Sequence, residues 1–270
     1  TVDAGAGDDT ILGSNAADLL IGGDGDDFID GQQGNDTILL GAGNDTFQWD
    51  PGDGSDVVEG GSGFDTMLFN GSNAAEIFDI AANGERVRFT RNVGNIVMDL
   101  NEVEKITVNA LGGADTVIVN DLTGTDVTEV VVNLAGTLGG AAGDSATDTV
   151  IVNATAAGDT IDVLGLGNSV AVIGTPASVA TAAIWVRIVS IWAASFSLNL
   201  VQRTPISLIA ATSSSGITPP ATTMRSCAPC SSSSLKIFGN TVSWTPDRRL
   251  TPRMSTSSWM AAVTTSSGVR

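Results

Sequence analysis

Seven aspartates carry the first chemical signal in this 270-residue chain. Asp9, Asp18, Asp27, Asp36 and Asp45 recur every nine residues; after a two-residue insertion, Asp56 and Asp65 are again nine apart. A carboxylate can serve as a hard oxygen donor, as an acid or base, or merely as a solvated charge. The chain has no His, which excludes Ser-His-Asp and Cys-His catalysis, His-bearing zinc motifs and an imidazole base. Neither His-Glu-x-x-His nor Gly-x-Ser-x-Gly occurs. Paired carboxylates such as Asp26-Asp27 suggest acid–base work in isolation, but repetition at fixed spacing fits ion binding better. No enzymatic activity is expected of this chain.

The residues around each aspartate define a unit: AGAGDDTIL, GSNAADLLI, GGDGDDFID, GQQGNDTIL, LGAGNDTFQ, PGDGSDVVE and GGSGFDTML. Glycine takes the second and fourth places (Gly5 and Gly7, Gly23 and Gly25, Gly34, Gly41 and Gly43, Gly52 and Gly54, Gly61 and Gly63). Gly22, Gly31 and Gly60 stand at the first place. An apolar residue fills the eighth: Ile11, Leu20, Ile29, Ile38, Phe47, Val58 and Met67. Glycines permit positive φ and close backbone approach, so six residues make a tight turn. The last three extend and point one large side chain inward. A single unit cannot bury that side chain, whereas stacked units can, which predicts a solenoid. With two units per coil, Asp9, Asp27, Asp45 and Asp65 line one edge, and Asp18, Asp36 and Asp56 the other. Carboxylates repeated ~4.8 Å apart repel unless a cation sits between them. Oxygen-only donors, from the carboxylates and from carbonyls of the glycine turns, select calcium over zinc or magnesium.

These units resemble the Gly-Gly-x-Gly-x-Asp-x-hydrophobic-x nonapeptide of the RTX, or hemolysin-type calcium-binding, repeats. GGDGDDFID and GGSGFDTML match at every fixed place, whereas GSNAADLLI has Ser14 and Ala16 at the glycine places. The inserted Trp49-Asp50 is expected to disturb stacking between the fifth and sixth units. The resemblance implies an all-β fold whose core is a parallel β-roll, with Ca2+ bound by the glycines and aspartates named above. It further implies a secreted bacterial protein, extracellular or at the cell surface, that folds on meeting external calcium. The function so implied is a calcium-dependent structural or adhesive segment of a large protein, with a cell-surface or matrix partner. The alternative is the roll of a secreted protease, lipase or toxin whose active domain lies outside this chain.

Composition divides the chain into three parts. Residues 1–69 hold the repeats. Residues 70–175 read as further short strands, with Asn83-Gly84 a hairpin signal. Within them ADTVIVND, TDTVIVNA and GDTIDVLG repeat an Asp-Thr start that places Asp115, Asp148 and Asp159 in equivalent positions, so the segment reads as a continued β-solenoid or sandwich whose turns are either degenerate ion turns or capping turns of a packed sheet. Residues 1–175 hold 4 basic and 29 acidic residues, a net −25; residues 176–270 hold 8 and 1, a net +7. The acidity of the first part argues against nucleic-acid or anionic-membrane partners. The apolar stretch Ile184–Leu200 contains Arg187 and several Ser, so stable membrane insertion is not expected.

Residues 176–270 read as a tail without a domain of its own. Reading each codon from its third base forces an apolar residue then Gly at Trp185-Val186 and Trp192-Ala193, and apolar-Asp-Gly at Trp259-Met260-Ala261. The tail is thus read as a frameshifted continuation of the repeats that should not fold. Cys227 and Cys230 lack the further ligands zinc requires, and Arg248-Arg249 is no nucleic-acid signal. The chain opens inside a repeat and without Met, and is expected to be a fragment.

Overall fold

The computed structural model describes residues 1–155, 159–166 and 169–182, with strands also at 187–188, 195–201, 207–208, 233–238 and 241–246. Cys227, Cys230, Arg248, Arg249, Trp185, Trp192 and Trp259 lie outside the described residues, as does most of the frameshift reading.

The repeats wind as expected. Each coil lays one strand in each of two facing sheets: β1 (Val2–Ala6), β3 (Leu19–Asp24), β5 (Thr37–Gly43) and β7 (Val57–Gly63) in the first, and β2 (Thr10–Leu12), β4 (Phe28–Asp30), β6 (Thr46–Trp49) and β8 (Thr66–Asn70) in the second. Neighbours are parallel and two units apart, so Leu20 pairs with Val2 and with Ile38. The eighth-place side chains, Ile11 through Met67, are all buried between the sheets. In the second sheet the strands are short, as the unit predicts. In the first they run on through the glycines, which pair in register as Gly5, Gly23, Gly41 and Gly61. Identical turns stacked in register offer one another the same hydrogen bonds that strands do, so the ladder does not stop where the turn begins.

The Trp49-Asp50 insertion does not disturb the stacking, contrary to expectation. Thr46 still pairs with Thr66 and Thr37 with Val57. The extra length is taken up by a turn from Asp50 to Asp53, while Trp49 stays in the ladder opposite Phe69, is fully buried, donates its Nε1–H to the Gly54 carbonyl at 2.8 Å and stacks on Phe69 at 4.0 Å. Burial of that ring and its satisfied indole offset the longer turn.

Beyond the repeats the solenoid continues with two insertions. β9 (Ile77–Asn83), β10 (Arg86–Arg91) and β11 (Ile96–Asn101) form an antiparallel meander in the first sheet, turning at Gly84 with φ +72. The chain then adds β12 (Lys105–Asn109), β13 (Thr116–Val119), β14 (Glu129–Asn133) and β15 (Thr149–Val152). A second meander, β16 (Thr160–Leu166), β17 (Ser169–Ile173) and β18 (Ser178–Ala182), enters the second sheet. In each meander the last strand pairs in parallel with the preceding coil and the first with the following one: β11 on β7 and β9 on β13, then β18 on β14 and β16 on the strand Ser195–Val201. The first insertion puts the sheets out of step and the second brings them back. The β17–β18 hairpin crosses residue 176, so the change in composition falls inside a paired element.

Side-chain amides stack this half. Asn109 donates to Asn70 and accepts from Asn133, each at 2.7 Å, and Asn70 donates to Asp50. In the other sheet Asn153 donates to Asn120, which donates to Asp79. An amide both donates and accepts, so such a ladder is neutral and extends without an ion. Replacing Asn109 with Ala removes one rung and leaves two half-buried groups unmatched, a loss of about 1–2 kcal/mol. Urea unfolding in saturating calcium should show this as a lower midpoint; an unchanged midpoint would count against the ladder.

Candidate metal centre

The turns between strands place the aspartates in two rows. Along one edge Asp9 N–H donates to Asp27 Oδ1 at 2.8 Å, Asp27 to Asp45 at 2.7 Å, Asp45 to Asp65 at 2.9 Å and Asp65 to Glu104 Oε2 at 2.6 Å. Along the other, Asp18 donates to Asp36 Oδ1 and Asp36 to Asp56 Oδ1, both at 2.8 Å. The rows are those the spacing predicts. The fifth place is stitched in the opposite sense, with Asp26 N–H donating back to Asp8 Oδ1 and Asn44 N–H to Asp26 Oδ1. Each turn is therefore tied to both neighbours by backbone-to-carboxylate bonds. One oxygen of Asp27, Asp36, Asp45, Asp56 and Asp65 is consumed in the process.

The other oxygen is left over. Oδ2 of Asp9, Asp27, Asp36, Asp45, Asp56 and Asp65 is buried and has no hydrogen-bond partner. Glycine makes room beside it. A Cβ at Gly22 would collide with Asp27 Oδ2 and with the Leu40 carbonyl, and one at Gly31 with Asp36 Oδ2. At Gly60 it would meet the Glu102 carbonyl and Asp65 Oδ2. The second- and fourth-place glycines take positive φ, from +97 at Gly61 to +149 at Gly34 and Gly43, with Gly54 the exception. At Gly54 the need is closeness: a Cβ there would strike the Gly34 carbonyl. Buried carboxylate oxygens bare on one side, with carbonyls crowding the same space, fit a hard divalent cation taken by oxygen alone. A bound calcium ion would supply the positive charge these turns lack. Asp27, Asp36, Asp45, Asp56 and Asp65 would hold it, with first-place carbonyls such as that of Leu40. Among the described residues no three acidic side chains converge on one point, so each turn offers a single carboxylate and the backbone the rest.

Asp18 differs from its neighbours. Ser14 donates both its N–H at 3.0 Å and its hydroxyl at 2.7 Å to Asp18 Oδ2, which holds that carboxyl below the usual range. The unit that lacks turn glycines thus closes its carboxylate with protein donors. The same turn recurs where the repeats end: Gly71–Glu76 repeats the Gly13–Asp18 sequence except for its last residue. Ser72 again donates N–H and hydroxyl, now to Glu76. Arg91 from β10 completes it, its guanidinium paired with Glu76 Oε1 and lying 5.1 Å from the Trp49 ring centre. The repeated hexapeptide was the sequence signal for this second closed turn. Arg91 had none, because its place depends on the meander. Glu104 as the last rung of a row also escaped the nine-residue spacing.

Burial governs the open carboxyls. Removal from water raises Asp36 and Asp45, pushes Asp65 to about 6 and pushes Asp56 to about 7, and carboxylates on adjacent coils raise them further. Asp53, which closes the turn begun at Asp50, is raised to about 6, again mainly by burial.

The comparisons with known proteins agree with this geometry. The family described as RTX calcium-binding nonapeptide repeat matches in four copies, over residues 1–29, 12–47 and 51–67. This stretch is built of RTX calcium-binding repeats. No curated protein matches the chain. The RTX repeats make up the parallel β-roll of β1–β8, and the family match stops at residue 67, where the first amide ladder and the closed Glu76 turn take over.

The metal-free RTX roll holds protons that the unfolded chain has released, because Asp56 and Asp65 are raised above 3.8. Their contribution to stability is fully present below about pH 3.8 and is lost as pH rises through about 7. Metal-free β signal should therefore weaken from pH 5 to pH 8, while calcium binding near pH 6 should release protons. Calorimetry in buffers of different ionisation heat reads that release, and a heat independent of buffer would contradict it. Changing Arg91 to Met strands the buried Glu76 and should cost about 3–5 kcal/mol in calcium-saturated unfolding.

Proposed function

We propose that this chain is a calcium-dependent structural or adhesive segment of a large secreted bacterial protein, acting by ion-driven ordering and not by catalysis. The observation that carries this reading is the row of buried Oδ2 atoms without partners. Such a row is unfavourable as bare charge and favourable once a divalent cation fills it, so the roll orders where calcium is abundant. Secretion suits that chemistry, since the external medium supplies the ion. The acidic carboxylates recur along two edges without converging, and the chain has no His, which supports binding over a reaction centre. Among the described residues no helix is long and apolar enough to cross a membrane. The roll of a secreted enzyme or toxin is the second reading, favoured by the same repeats and separated from the first by the sequence that adjoins them in the gene.

Circular dichroism of the chain during calcium addition and chelation tests the ion dependence. A reversible gain of β signal is expected, and an unchanged spectrum would remove it. Asp27→Asn should weaken binding markedly, whereas Asp18→Asn, at a turn already closed by Ser14, should change it little. Equal effects would break the link between open oxygens and ion sites.

A further inference from the structure

Among the described residues seven buried side-chain oxygens lack a hydrogen-bond partner, and every one is Oδ2 of an aspartate at a strand entrance. Six belong to the nonapeptide repeats. The seventh is Asp115, far beyond the last residue the family match covers. Asp115 is 1 % exposed. Its Oδ1 accepts the Glu76 N–H at 2.8 Å and its own N–H donates to Asp148 Oδ1 at 3.0 Å. This is the relation Asp45 holds to Asp27 and Asp65 within the repeats. The turn before it carries Gly113 at φ +116, where a Cβ would meet the Ala74 carbonyl at 2.5 Å. Asp144 adds a second carboxylate to this turn, accepting the Gly113 N–H at 2.6 Å.

We propose that Asp115 is the carboxylate of a further calcium site outside the nonapeptide repeats, in the turn that joins β12 to β13. Its neighbours explain why the site stands alone. Glu76, on one side, is closed by Ser72 and by Arg91. Asp159, which the sequence places as an equivalent, is closed by the Thr155 hydroxyl at 2.8 Å from its Oδ2. On the other side Asp148 accepts the Asp115 N–H at its Oδ1, and of Glu76, Asp115 and Asp148 only Asp115 has a buried oxygen without a partner. Carboxylate and carbonyl oxygens without nitrogen or sulfur select a hard divalent cation. The identity of that ion rests on the calcium reading of the repeats; the open site itself does not.

Equilibrium dialysis of the full chain against radioactive calcium at pH 8 tests this, comparing the native chain with Asp115→Asn and Asp45→Asn. Asn keeps the hydrogen bonds made by Oδ1, and dichroism in saturating calcium checks that each variant is ordered. Each variant should bind at least one ion fewer than the native chain. If Asp45→Asn loses an ion and Asp115→Asn does not, the site at Asp115 is refuted while the repeats stand. If the native chain binds no calcium, both readings fall. Should Asp115→Asn not fold, Asp144→Ala on its exposed loop decides instead. It should weaken binding at one site several-fold with the rest unchanged, and uniform affinities would overturn the proposal.

Discussion

Carboxylates withdrawn from water and repeated at the strand spacing repel their neighbours by about 3 kcal/mol per pair at an effective dielectric of 20. Every feature of the acidic roll is arranged around that repulsion. The backbone lessens it by donating one N–H to Oδ1 of Asp27, Asp36, Asp45, Asp56 and Asp65, but the bond is spent on only one of the two oxygens. Glycine at the turn then serves two ends. It lets successive turns approach closely enough to stack, and it leaves the space beside Oδ2 clear of Cβ atoms. Close stacking and bare oxygens are thus products of one residue choice, and together they make an ion part of the fold.

At Asp18 and Glu76 the chain solves the same problem without an ion. Ser14 and Ser72 close their carboxylates with two donors each, and Arg91 brings a permanent cation onto Glu76. Past residue 70 the stacking groups along the strands become neutral amides, Asn70, Asn109 and Asn133, which need no countercharge. The two solutions meet where β7 lies on β11 and β8 on β12. There the Asp65 N–H finds Glu104, whose longer side chain continues the row from a shorter turn.

The roll was legible because its period is its architecture: a residue that recurs every nine places must, in a two-unit coil, stack on itself. The inward side chains, the two aspartate rows and the anomaly at Asp18 all follow from counting. The meanders were not legible in the same way. Asn83-Gly84 announces a hairpin, yet nothing local says that β11 rather than β9 will lie on β7, because that order is decided by pairing between distant segments. Arg91 is hidden for the same reason, since an arginine in a strand acquires its role only when the strand is placed. The outcome at the Trp49 insertion is not set by length, because the packing of the ring decides it. Two extra residues lengthen a turn cheaply when one of them fills the core.

Mass action sets how sharply the acidic half responds. A site that only the folded roll possesses adds about 1.4 kcal/mol at a calcium concentration tenfold above its dissociation constant and about 2.7 kcal/mol at a hundredfold. The second figure is close to the repulsion between one pair of neighbouring carboxylates, so a single weakly filled site cannot hold a coil together. Sites along one edge share coils, however, and filling one fixes the turn that forms half of the next. Order in the repeats should therefore rise over a narrow range of calcium, while the amide-stacked half, where Ser and Arg close Glu76 and Asp115 alone keeps a bare oxygen, depends far less on the ion.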